Sequence, residues 1–164
     1  TDSPTNNFCT MNPLDNFYDP ATFSEGNLSI VTETDGQSFK IATFGLSTGK
    51  WYWEIFRRGA NGHSEIGIAG MPSDAADDYL GADAFTYAVH SAASTTPTGV
   101  WFPAISDKHN SYNTTLDMNF GGGAAFGATA VASANQDADG FGNFEFSVPS
   151  GYFSICSKNL AEYG

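Results

Sequence analysis

Between residues 50 and 57 the chain alternates without a break: Trp51, Trp53 and Ile55 interleave with Tyr52, Glu54 and Phe56. Only an extended strand turns a period of two into one apolar face. Two tryptophans on that face need a deep apolar layer opposite, which places the strand inside a sandwich. Glu54, on the other side, is expected to face solvent. Arg57, Arg58, Gly59, Ala60, Asn61, Gly62 and His63 then make a polar turn, and Ile66, Gly67, Ile68, Ala69 and Gly70 read as a returning strand. Glycine within that strand lets another backbone or a ring approach closely. The two runs are expected to pair as a hairpin at the centre of the fold.

The rest of the chain has the same character. Short strands are expected near 8–11, 27–33, 38–44, 50–57, 64–70, 85–90, 100–105, 114–120, 143–147 and 152–157, parted by turn signals such as Asp35-Gly36, Thr98-Gly99 and Ser150-Gly151. No window holds a 3.6-residue apolar period, so helix should be scarce. At 164 residues, with 14 Phe, 7 Tyr and 3 Trp, a single domain with a sizeable core is expected. Its core is assigned to Trp51, Trp53, Ile55, Ile66, Ile68, Trp101, Phe102, Phe120, Phe153 and Ile155. The polar start and the abrupt end at Tyr163-Gly164 suggest a piece of a longer or processed polypeptide.

Charge narrows the range of partners. The net charge is −12, with only six Lys plus Arg. A nucleic-acid binder needs a basic stripe to meet phosphate, so no nucleic-acid partner is expected. An anionic membrane surface is disfavoured for the same reason.

Several segments, taken in order, resemble a known family. Gly49-Lys50-Trp51-Tyr52-Trp53-Glu54-Ile55 with Ile66-Gly67-Ile68-Ala69-Gly70 is similar to the central hairpin of SPRY domains. So are Phe8 to Asp15, Ser24-Glu25-Gly26-Asn27-Leu28, Trp101 to Asp107, Asn119-Phe120-Gly121, Pro149 to Phe153 and Cys156 to Leu160. The set looks like SPRY domains of bacteriophage virion and tail-associated proteins. The resemblance implies an all-β, concanavalin A-like jelly-roll sandwich of two antiparallel sheets. It also implies a virion location and contact with other virion subunits, with a homo-oligomer expected. One departure stands out: no residues between Val89 and Val100 read as the further strand pair usual in the family. Its loss would leave a sheet edge exposed or covered by a neighbouring chain. Terminal strands run side by side in such sandwiches, so the resemblance brings Cys9 and Cys156 close enough for a possible disulfide. That link would add roughly 4–5 kcal/mol in the chain-entropy model; the alternative is two buried free thiols.

Signatures of catalysis are weak, and no enzymatic activity is expected. His63, His90 and His109 lack the spacing of a zinc pair, and there is no nucleophile elbow or phosphate-cradling loop. Glu54 and Glu145 are carboxylates of the kind a glycosidase would pair across a cleft, though nothing in the sequence joins them. The best cation candidate is a calcium loop using Asp137, Asp139, Asn143 and Glu145. Against it stands a glycine-rich turn whose Asp and Asn side chains bond their own backbone. SPRY domains are interaction modules whose partners dock on loops at one edge. By position those loops supply Arg57, Arg58, His63, Tyr79, His109, Asn110 and Tyr112. Arg57 and Arg58 would pair with a neighbour's acidic loop or lie along Trp53 and Phe56. Tyr79, Asn110, Tyr112 and Asn113 also suit a host-surface glycan, the alternative reading of the same surface.

Overall fold

Period-two segments fold into strands that share their apolar faces across a sandwich. The computed structural model describes residues 2–34, 36–59, 63–70, 79–82, 85–88, 99–108, 111–123, 125–126, 129–131 and 133–164. In chain order the strands are β1 (Thr22–Ser24), β2 (Ser29–Val31), β3 (Ser38–Ile41), β4 (Trp51–Tyr52), β5 (Glu54–Arg58), β6 (Ser64–Ala69), β7 (Thr86–Ala88), β8 (Phe102–Asp107), β9 (Thr115–Asn119), β10 (Ala125–Phe126), β11 (Thr129–Ala130) and β12 (Phe153–Ser154). A helix, α1 (Ser157–Tyr163), follows. One antiparallel sheet runs β1-β2-β9-β5 and the other β3-β8-β6-β7. Two smaller pairs, antiparallel β10-β11 and parallel β4-β12, lie outside them.

The main core lies between the sheets. Ile30, Leu116, Met118 and Phe120 face it from the first sheet and Ile105 from the second, with Met11 and Ile155 completing it. Trp51, Trp53 and Ile55 pack against it half-buried. A second cluster of Phe39, Ile41, Ala69, Leu80, Ala88 and Ala104 covers the other face of the second sheet. This explains why every residue of β3 is buried. Gly67 performs the close approach expected of it: a side chain there would run into the carbonyl of Tyr87.

Four expectations are corrected. The runs around Trp51 and Ile66 do not form a hairpin. β5 pairs with β9 and β6 with β7 and β8, so residues 59–63 cross between sheets. Crossing sets their apolar faces opposite each other across the core, whereas a hairpin would set them side by side. No strand forms over 143–147: Phe144 makes a single bridge to Asn135, and the next two amides turn inward to Glu54. Residues 8–11 make only isolated bridges. The last expected strand shrinks to β12 and gives way to α1, whose first turn is capped from a distance by Asn6. Its Oδ1 accepts from the Lys158 amide (3.2 Å) and the Ser157 hydroxyl (3.3 Å). A seven-residue helix is too short to show a helical apolar period. The segment expected to lack the family's extra strand pair lies largely outside the described residues.

The termini do run together, yet Cys9 and Cys156 are both buried free thiols. Phe8 bridges Cys156, and the Cys9 amide donates to the Ile155 carbonyl at 2.9 Å. The register is one residue off, so Cys9 shares the core with Ile155 while Cys156 turns to the opposite face. Burial pushes the Cys9 thiol up to about 11, only partly opposed by its bond to Thr43. We therefore expect thiol titration to detect no reactive cysteine at pH 8 in the folded chain and both after unfolding, with reductant leaving the melting temperature unchanged.

Lys40 is the unusual inner-face residue of β3. Its ammonium donates to the carbonyls of Phe17 and Tyr18, both at 3.2 Å, and to the Ser38 hydroxyl at 3.0 Å. Burial lowers its pKa from 10.5 to about 8, against the pull of Asp15 and Asp19. Between those values the unfolded chain holds more protons, so this group makes stability rise with pH. Urea unfolding should show wild type gaining on Lys40→Met as the pH climbs from 8 toward 10.5.

Candidate binding surface

Three connections leave one sheet for the other at the same end of the sandwich. In the first sheet Val31, Thr115 and Arg58 lie in one row; in the second Ser38, Asp107 and Ser64 do. The crossings 32–37, 59–63 and 108–114 therefore start and finish together. Thr32 clasps them. Its amide donates to the Thr114 carbonyl (3.0 Å), its hydroxyl accepts from the Thr114 amide (2.9 Å), and it donates to the buried Asp107 carboxylate (2.6 Å). The Lys108 amide reaches the His63 carbonyl at 2.9 Å, and Gln37 Nε2 reaches the Lys108 carbonyl at 3.1 Å.

Beneath this end lies an ion pair. Asp117 has no exposure, and its Oδ2 meets Arg58 Nη2 at 2.6 Å and Nε at 2.7 Å, while Oδ1 accepts from Ser29 Oγ at 2.7 Å. A carboxylate out of water needs such a partner, so Arg58 is held within its own chain. The sequence offered Arg58 a neighbour's acidic loop or a place along Trp53 and Phe56; within the chain it pairs with Asp117. Arg57 points to the other face of β5 and is exposed, as is His63.

Tyr79 joins the same end through Lys108. The ammonium sits 4.0 Å from the centre of the Tyr79 ring and 3.5 Å from Glu65 Oε1. Leu80, with no exposure, anchors the turn behind Tyr79, its amide donating to Ser106 Oγ at 3.2 Å. Tyr112 lies half-exposed on the crossing that follows Lys108. His109 and Asn110 fall outside the described residues. Of the expected surface, the fold thus gathers Arg57, His63, Tyr79 and Tyr112 at one end and retains Arg58 as a support. Thr32, Asp107 and Asp117, the polar groups that fix the loops, were not singled out in the sequence. The signal for Asp117 was its place between Leu116 and Met118, in a strand whose other face also had to be covered.

Of the residues assigned to calcium, Asp137 and Asp139 serve internal bonds with their carboxylates, while the Asn143 side-chain oxygen is buried without a hydrogen-bond partner among the described residues. Asp137 Oδ1 accepts from the amides of Asp139 (3.0 Å) and Phe141 (2.9 Å). Its Oδ2 accepts from the Ser154 amide (2.8 Å), Ser154 Oγ (2.7 Å) and Asn159 Nδ2 (2.8 Å). Asp139 Oδ2 accepts from the Tyr163 hydroxyl at 2.9 Å, and the Asn143 carbonyl accepts from Asn119 Nδ2 at 3.0 Å. Among the described residues no three His, Cys, Asp or Glu side chains gather in a metal-ligating group.

Glu54 is buried as well, against the expectation of a solvent-facing position. It accepts from the amides of Glu145 (3.0 Å) and Phe146 (2.8 Å), from Asn119 Nδ2 (2.8 Å) and from the Tyr52 hydroxyl (3.0 Å). The segment 143–146 folds over the outer face of the first sheet and uses Glu54 as its anchor. Glu145 comes near Glu54 through its backbone.

No family model matches the chain, and no match is found among the curated proteins.

Burial raises the Asp137 carboxyl, and the surrounding amides of Ser154 and Phe141, with the Ser154 hydroxyl and Asn159, outweigh it, leaving its pKa below 3.8. A depressed carboxylate stabilises the fold above its unfolded pKa and loses that contribution as pH falls through the folded one. Asp137→Asn should cost about 2–3 kcal/mol at neutral pH. In chemical denaturation at stepped pH, its deficit should shrink progressively below pH 3.8.

Proposed function

We propose that this chain is a non-catalytic, SPRY-type module of a phage virion that joins neighbouring subunits through the end where its three sheet crossings gather. The convergence of those crossings carries the reading. A docking surface needs side chains held in place before the partner arrives, because ordering them on contact costs affinity. Here Thr32, Asp107 and the Arg58–Asp117 pair brace the base of the loops, while Arg57, His63 and Tyr112 stand exposed. Function on loops set upon a rigid scaffold is the usual division of labour in a sandwich. The ordered run of SPRY-like segments supplies the family and the virion setting.

The proposed partners are virion subunits, including further copies of this chain. On a chain of net charge −12, Arg57, a cation exposed at this end, would meet an acidic surface of a neighbour. Light scattering on the purified chain at rising concentration tests this. A defined oligomer is expected, which the double variant Arg57→Glu/His63→Glu returns to a folded monomer. A monodisperse monomer at high concentration, or an oligomer indifferent to that variant, would defeat the proposal.

A further inference from the structure

The opposite end of the sandwich holds all three tryptophans of the chain in one open cleft. Trp51, Trp53 and Trp101 line a cavity of about 220 Å³ with Leu46 and Ile68. Ser47 and Thr48 lie exposed at its rim. It lies roughly 17 Å from the clasped loops, the span of β6 at about 3.3 Å per residue. The sequence assigned these indoles to the core, but Trp51 and Trp53 are only half-buried.

We propose that this cleft binds a neutral carbohydrate ring. Four observations point there. Among the described residues the lining is aromatic and aliphatic with two short hydroxyl side chains, and none of those residues is ionisable. Apolar walls with a few polar groups that fix orientation are the pattern of a small-ligand site. A sugar ring presents C–H bonds from its face, which pack on an indole, and hydroxyls from its edge, which suit Ser47 and Thr48. Second, the chain's charge of −12 repels acidic sugars, and the uncharged lining offers nothing to hold a cation by ion pairing. Third, the volume exceeds the roughly 150 Å³ apolar cavity that admits a benzene ring, so a six-membered ring fits.

The fourth observation is how the rings are set. Trp51 Nε1 donates to the Thr48 carbonyl at 2.6 Å, which fixes its indole and spends its polar edge within the chain. A Cβ on Gly49 would come within 3.0 Å of the Trp51 ring, and one on Gly70 within 3.2 Å of Trp101. Glycine at both positions lets the backbone lie flat against the rings. Thr48 Oγ1 donates to the Tyr163 carbonyl at 3.2 Å, which keeps its lone pairs open to a sugar hydroxyl. This inference is independent of the role proposed for the loop end, since the two sites share no residue.

Because every tryptophan lines this cleft, intrinsic fluorescence reads it alone. The intact chain would be titrated with neutral oligosaccharides of glucose, galactose, mannose and N-acetylglucosamine, with uronic-acid and sialylated oligosaccharides as the anionic set. A saturable shift in tryptophan emission with at least one neutral sugar, and weaker or no response to the anionic set, is expected. Trp53→Ala should abolish it. Since that change also opens the core, Ser47→Glu at the exposed rim serves as the second variant, expected to weaken binding at least about tenfold with the melting temperature unchanged. Emission unmoved by every neutral sugar, or binding indifferent to Ser47→Glu, would overturn the proposal. So would a shift produced only by aromatic or proline-rich peptides, which would make the cleft a protein-docking site.

Discussion

The Arg58–Asp117 pair is the interaction on which the first sheet depends. Asp117 sits fully buried in β9, the second strand from one edge, and bonds Ser29 on β2 and Arg58 on β5. Three strands distant in sequence are thereby held in one register by a single carboxylate. That register sets Ile30, Leu116, Met118 and Ile55 on the inner face, because alternation leaves no other choice once Asp117 points outward. Truncating Arg58 would leave the Asp117 carboxylate out of water without its charged partner, whereas Arg58, over a third exposed, would keep its contact with solvent if Asp117 were lost.

Other carboxylates act as staples of the same kind. Asp137 collects five donors and fastens the turn 137–141 to β12 and α1. Glu54 collects four and fixes the segment 143–146 over the first sheet. Asp107 binds the crossing from β2 to β3. A chain with short strands and long connections has few ladder bonds to order its loops. Buried acids that accept several bonds supply that order, because a carboxylate offers about four lone-pair sites. Part of the strongly negative charge is therefore structural and lies inside.

This division gives the two ends of the sandwich different characters. At one end, polar clasps brace loops that carry Arg57, His63 and Tyr112. At the other, indole rings set by glycine and backbone contacts leave an apolar cleft with a hydroxyl rim. Lys40 and the loop it holds lie along the edge of β3, where Leu14 and Phe17 remain strongly exposed.

By itself the sequence determined the class of fold. The alternation around Trp51, the glycine-parted strand at Ile66 and the apolar runs at Phe39, Ile105 and Leu116 each specify an extended segment, since side-chain period is a local property. Gly67 was also legible, because a strand glycine signals close approach whatever the neighbour is. Tertiary structure decided which strands pair. It sent residues 59–63 between sheets, placed Cys9 and Cys156 on opposite faces by a one-residue offset, and buried Glu54 beneath a segment some ninety residues away. It also gathered three loops at one end and three tryptophans at the other. Pairing depends on contacts between residues far apart in the chain, and a polar residue's fate depends on which segment folds over it. Neither is written in the local pattern.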